Sequence, residues 1–500
     1  MPTEPSISAT TLRPGRLGAG RLALFVTATA APLTAVGGAI PTMYAVSGNA
    51  GAAFCFLFLT IVLGVFAVGY TAMSRYVPNP GAFYSYIADG LGRAGAVAAA
   101  FVALVAYNAI QISLYGLMGA ILGDFIGDEF SLVLDWWIWA LLAWALVGVL
   151  GMFQLDLSAT VLTTLLVLEL LVLTVLVVLA LSNPAGGRTS LTGLDPATLS
   201  VAGLGAVLAL AIASFAGLES GPSYHAQVSD PRRTVARATY LAIVGTGGAF
   251  ALSAWALTVA TGPENTSTVA AVAGPGLVAD VLARHGGAAL AVIAQVLLGT
   301  AVLAALLSGH NVVARQLYAL GHERVLPGRF GRIGIRTGAP VAGSLVQTGL
   351  ALVVVLGFAA AGRDPVTELF TWLSGVGAVG MLVLLILTSV AVLGFFSGRA
   401  GTGESRWQRL VAPTLATMGL SVVLVVLLAD FGALLTPGSP GYLRGLLPGL
   451  PGLAALLGLL WGLALRSLHP EIYTRVGRGA LEPIPAPLPA DAARGVGASA

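Results

Sequence analysis

The sequence predicts an all-α, polytopic membrane protein, and three observations carry that expectation. Hydrophobic residues make up 57% of 500 positions and charged residues only 9%, with a mean hydropathy of +0.92. Soluble domains carry about 25% charged residues and at most about 50% apolar ones. The apolar residues also gather into twelve runs about as long as the roughly 20 residues a helix needs to cross a bilayer. Finally, there is no Lys, and the 24 Arg fall between those runs on alternate sides in very unequal numbers.

The runs are Leu22–Ser47, Ala50–Arg75, Gly95–Leu122, Trp136–Phe153, Leu157–Leu181 and Val201–Tyr224, then Val235–Thr261, Ala288–Leu320, Val341–Ala361, Leu369–Phe396, Leu410–Asp430 and Leu447–Leu465. Residues 1–20 form a polar N-terminal tail, 21–468 the membrane domain and 469–500 a Pro-rich tail whose composition suits disorder. The first run is too long for the core of a signal peptide and reads as an uncleaved first span. Twelve crossings put both tails on one side, with 20 Arg there and only Arg188, Arg284, Arg363 and Arg444 opposite. The positive-inside rule makes the rich side cytoplasmic. The segment between Gly262 and Arg284 is then an external loop.

Two spans are interrupted. Ala35-Val36-Gly37-Gly38-Ala39-Ile40-Pro41 breaks the first apolar run, and Phe215-Ala216-Gly217-Leu218-Glu219-Ser220-Gly221-Pro222 breaks the sixth. Glycine weakens a helix, and proline removes a donor and crowds the preceding turn. At membrane depth, freed backbone groups need protein or a wet cavity around them. A half-helix N-terminus suits a carboxylate, and freed carbonyls suit an ammonium or a cation. Breaks in spans one and six, each followed by four more spans, fit two five-helix inverted repeats at about 22–182 and 200–396, with two further helices at about 410–466.

Two acidic residues lie within the spans, Glu169 in the fifth and Glu219 at the sixth-span break. A carboxylate at bilayer depth costs about 2.5–3.5 kcal/mol on insertion scales, and protonation removes much of that cost. Either residue can therefore carry a coupling proton, or bond helix to helix as a neutral carboxyl. Tyr107, Asn108, Gln111 and Tyr115 share a face of span three that can line an aqueous path or bond to neighbouring helices. Ser308, His310 and Asn311 lie in span eight, where His310 reads as structural. Trp372 and Ser374 lie in span ten, where Trp372 could gate a path or pack against lipid.

Several segments resemble the amino acid–polyamine–organocation permease superfamily. Pro78-Asn79-Pro80-Gly81-Ala82-Phe83-Tyr84-Ser85-Tyr86 follows span two, and Asp230-Pro231-Arg232-Arg233-Thr234-Val235-Ala236-Arg237-Ala238 follows span six. Ala314-Arg315-Gln316-Leu317-Tyr318-Ala319-Leu320 through Val325-Leu326-Pro327 closes span eight, and Phe215-x-Gly217-x-Glu219-Ser220 is similar to the family's sixth-helix break. Together they cover roughly residues 20 to 470. The resemblance implies twelve helices with a five-plus-five inverted repeat and alternating access around a central site. It also implies a substrate carboxylate near Val36, Gly37, Gly38 and Ala39, and an amine near Ser214, Phe215, Ala216 and Gly217. The sequence departs from the family pattern in places. Gly37-Gly38 stands where Gly-x-Gly is common, Ala236 replaces a Pro, and Glu169 stands where some proton-coupled members carry Lys. Ala213 stands where the arginine–agmatine exchanger carries a large aromatic.

The expectation is a proton-coupled secondary transporter of an amino acid or related amine in the cytoplasmic membrane. Tyr107, Asn108 and Gln111 would help bind substrate, Glu169, Glu219 and Ser308 would serve coupling, and Trp372 would gate. Sodium is the other possible coupling ion, and the lipid bilayer is the surrounding partner. An exchanger, or a carrier of a nucleobase or other neutral solute, is the alternative on the same architecture. A membrane enzyme would need clustered ligands or a nucleophile–base pair, and the five His and one Cys are dispersed. No cofactor, metal or nucleic-acid role is expected, and no appended soluble domain suggests a sensor.

Overall fold

In the computed structural model, twelve helices among the described residues are long and apolar enough to cross a membrane. The structure describes residues 18–77, 83–153, 159–228, 230–334, 338–398 and 403–478, and no strand occurs among them. Arg13 and Arg16 of the N-terminal tail, Pro78–Ala82 of the first motif, the start of span five at Leu157, Arg336, Arg399 and residues 479–500 lie outside the described residues.

The twelve helices differ from the expected set at one place. Trp136–Met152 is 17 residues long and so falls just short, whereas Thr266–Gly286, expected in an external loop, qualifies by length and apolarity. The second is two pieces, however. A short 3₁₀ turn, Gly274–Gly276, with Gly274 at φ +50°, separates helices of eight and ten residues. At 1.5 Å per residue these reach about 12 and 15 Å, half a bilayer at most. Thr266–Ala273 packs on the second half of the first span, and Leu277–Gly286 on spans five and eight. Trp136–Met152, by contrast, is continuous, reaches about 25 Å, and packs between spans three and nine.

The bundle is built around spans one, three, six, eight and ten. Span three, Arg93–Phe130, packs against spans eight, ten and twelve. Span seven, Pro231–Thr261, begins within the second sequence motif and lies against span two, span five and the start of span one. Leu171, Val353, Val422, Val425 and Leu456 are exposed on outer helices. On a soluble protein such a surface would be a liability; here it is the face offered to lipid.

The last described residues are docked on the bundle. A short helix, Pro470–Tyr473, follows span twelve, the Arg93 guanidinium lies 5.8 Å from the Tyr473 ring centre, and Val476 is buried. Gly477 donates its N–H to Glu323, which also accepts from the Tyr84 hydroxyl. Residues 469–478, expected as part of a disordered tail, therefore pack against the short helix Phe83–Leu91 and the end of span eight.

Candidate substrate site at two helix breaks

The first break lies earlier than the glycine pair suggests. Helix Ala19–Thr29 stops, Ala31 takes φ +43°, and the chain resumes at Pro32. Proline crowds the residue before it out of the helical region and has no N–H to give. Gly37 and Gly38, expected to present bare backbone, instead sit in a π-helical turn, Ala35–Ala39, that leads into helix Ile40–Ser47. A Cβ at Gly37 would lie 2.8 Å from Leu298 methyls, and one at Gly38 2.5 Å from a Leu117 methyl. Both glycines allow close packing. The wider turn just before Pro41 relieves the crowding a proline imposes, so the chain continues through it.

The backbone N–H groups from Ala30 to Ala35 are all engaged, Pro32 having none. The Ala30 and Ala31 N–H groups bond to Thr27 O and Ala28 O at 3.1 and 3.2 Å, and those of Thr34 and Ala35 turn back to Ala31 O at 2.9 and 3.4 Å. The Leu33 N–H donates to Glu169 Oε2 at 3.1 Å. Glu169, from span five, Ala159–Ser182, thus caps the second half of span one from behind. A carboxylate is favoured there because a helix N-terminus carries partial positive charge.

The second break lies where the sequence places it. Helix Leu204–Ser214 ends, Gly217 takes φ +102°, and a 3₁₀ segment, Leu218–Gln227, follows. Glu219 ties this break together. Its Oε2 accepts from Gly217 N–H at 2.8 Å and its Oε1 from the Tyr107 hydroxyl at 2.7 Å. The Tyr70 hydroxyl donates to its backbone carbonyl at 2.8 Å. Thr29 Oγ1, at the end of the first half of span one, lies 2.9 Å from Gly217 O, so the two breaks touch.

A cavity of about 740 Å³ begins at these breaks. Thr29–Ala31, Thr34, Ala35 and Ala39 form its span-one wall, with Tyr107 and Gln111 from span three and Ser308 from span eight. Ser214, Ala216, Gly217, Glu219 and Ser220 form the span-six wall. From there it runs to Tyr84, Arg315, Glu323 and Pro340, beside the Arg-rich loop after span eight. Thr34 and Ser220 both line the cavity, but their hydroxyl oxygens are themselves buried and have no hydrogen-bond partner.

Not every expected site residue reaches this space. Val36, Gly37 and Gly38 do not line it, and Phe215 packs against Phe56 and Phe250 with ring centres 6.1 and 5.6 Å away. Asn108 turns its amide to Leu104 O within its own helix. Gln111 does reach the wall, but its amide accepts from Gln347 Nε2 at 2.6 Å and donates to the buried Tyr115 hydroxyl at 3.2 Å. Trp372 is off the wall, stacked edge-on to Phe358 with Arg363 5.9 Å from its ring centre. His310 pairs with Ser344 at 2.7 Å, an inter-helix bond as its structural reading requires. Sequence reasoning missed Thr29, Thr34 and Tyr70. Pro32 inside an apolar run was the signal for the first two, and the glycine pair drew attention past it.

Residues 32–463 match the amino acid permease family. No curated protein matches the chain. The match begins at Pro32, where the chain resumes after the first break, and spans the second break and most of the bundle around the cavity. The chain therefore belongs to the amino acid permease family, whose members are multi-pass membrane transporters and not enzymes.

Proposed function

We propose that this permease is a secondary transporter that carries an amino acid or related amine across the cytoplasmic membrane by alternating access, with both termini cytoplasmic. The observation that carries the reading is the cavity, which reaches both helix breaks and extends towards the Arg-rich end of the bundle. A binding site at two broken helices of a membrane bundle suits rocking of one part against the other about that site. The lining residues match an inward-facing arrangement. Trp136–Met152 serves as the fourth crossing, Thr266–Gly286 as an external element, and the helices before and after residue 200 as two five-helix inverted repeats.

Coupling is assigned to protons, with Glu169 as the carrier. As a carboxylate, Glu169 holds the Leu33 N–H and so fixes the second half of span one. Protonation cancels its charge and weakens that cap, which frees the half-helix to move. Glu219 faces the cavity and holds the second break in register. Proteoliposomes with imposed pH and sodium gradients, applied separately, test the scheme. Uptake of a substrate should follow the pH gradient at fixed sodium. Accumulation on a sodium gradient alone would replace protons with sodium, and no uptake on either gradient would leave only exchange.

A further inference from the structure

From the contacts of the last described residues we infer that segment 469–478 is a strap that holds the cavity open at its Arg-rich end and has to let go before that end closes. The inference rests on the alternating-access reading above and adds a control element to it. The strap is anchored at three points. Helix Pro470–Tyr473 follows span twelve, and its Tyr473 ring centre lies 5.8 Å from the Arg93 guanidinium at the start of span three. Val476 is buried, and an apolar side chain that leaves water favours the docked strap. Gly477, at φ +88°, lies so close to helix Phe83–Leu91 that a Cβ would strike the Ala88 methyl. Its N–H reaches Glu323 Oε2 at 3.3 Å.

Glu323 and helix Phe83–Leu91 connect this anchor to the cavity. The Glu323 oxygen that accepts from Gly477 also accepts from the Tyr84 hydroxyl, and Tyr84 and Glu323 both line the mouth. One carboxylate thus ties the strap, the end of span eight and helix Phe83–Leu91 together. The same helix also reaches the second break. Its Phe83 and Tyr86 rings lie 5.9 and 5.1 Å from that of Tyr70, whose hydroxyl holds the Glu219 carbonyl at 2.8 Å. Gly90 meets span ten backbone to backbone, since a Cβ there would strike Ala391 O. Helix Phe83–Leu91 is therefore held by spans two, eight and ten at once. A movement that closes the mouth has to displace Tyr84 or Glu323, and the strap is fastened to that pair as it stands in the open arrangement. Contacts made in one of two states shift the population towards that state.

The test needs no substrate. In a Cys55→Ala background, Ser308→Cys places one thiol on the cavity wall of the full-length protein. A membrane-impermeant maleimide applied to inside-out vesicles then reads access from the cytoplasmic face. Ser308 lies fifteen residues along span eight from Glu323, about 22 Å, so changes in the strap do not touch the reporter. Two variants release the strap. Val476→Asp puts a charge where an apolar side chain is buried, and Gly477→Val is strained at φ +88° and strikes Ala88. In each, checked for folding by its melt, labelling should slow about twofold or more as the open population falls. The sign is diagnostic, because a strap that only adds stability would leave labelling unchanged or speed it by loosening the mouth. Either of those results in a folded variant overturns the proposal while the transporter reading stands. A reporter that stays unlabelled with the strap intact shows a cavity closed to that face, and the inward-facing reading then falls together with the strap. Should neither variant fold, Tyr84→Phe, which breaks the shared bond and leaves the apolar anchor in place, decides by the same sign.

Discussion

The two helix breaks carry out the same task with opposite chemistry. At the first, a proline forces the interruption, an alanine takes the left-handed conformation, and a carboxylate from another helix caps the restart from outside the cavity. At the second, a glycine takes φ +102°, and the carboxylate is only two residues away and faces the cavity. The comparison teaches that a break is not by itself a binding surface. What differs is where the capping carboxylate stands: both breaks line the cavity, but Glu169 caps the first from outside it, while Glu219 of the second is itself a lining residue.

The sharpest way to break the comparison is Gly217→Val. Its φ lies where side chains are strained, and a Cβ would lie 2.8 Å from Thr29 Oγ1 and 2.9 Å from Thr29 O. Strain of about 1–3 kcal/mol adds to that clash, so folded yield in detergent and transport should both collapse. Wild-type transport in this variant would mean that the breaks do not need to touch. Gly38→Val comes next. Because Leu117 fills the space beside Gly38, the variant should lose thermal stability by about 1–3 kcal/mol, with binding falling in step. Binding lost at unchanged stability would return this glycine to the ligand site.

Glu169→Gln separates capping from charge. The amide oxygen can still accept from Leu33, so the variant should fold and exchange substrate. It should nonetheless lose accumulation driven by a pH gradient in proteoliposomes. If it concentrates substrate as wild type does, Glu169 is a structural cap and the first break has no part in coupling. The smallest effect is expected from Ala31→Gly. Removing the Cβ from a residue at φ +43° relieves about 1–2 kcal/mol, less about 0.5–1 kcal/mol of added chain entropy. A slight rise in melting temperature should follow; a fall would show that the left-handed Ala31 carries no strain.

Composition, run length and the order of motifs were enough to read a helical membrane bundle and its family from the chain, because burial in lipid imposes its demand on nearly every residue of a span. The second break was legible for a local reason. Gly217, Glu219 and Pro222 lie within six residues and act on each other. The first break was misplaced, because Gly37-Gly38 and Pro32 are equally plausible interruptions when read alone. The choice between them fell to partners far along the chain: Leu298 and Leu117 pack on the glycines, and Glu169 caps Leu33 across 136 residues. Trp136–Met152 and Thr266–Gly286 show the same division, since length alone favours the second, at 21 residues against 17, and only its bend at Gly274 separates it into two short helices. Periodicity and composition are properties of neighbouring residues and survive in the sequence. Which backbone groups remain unsatisfied depends on contacts between distant spans, and only the packed structure decides that.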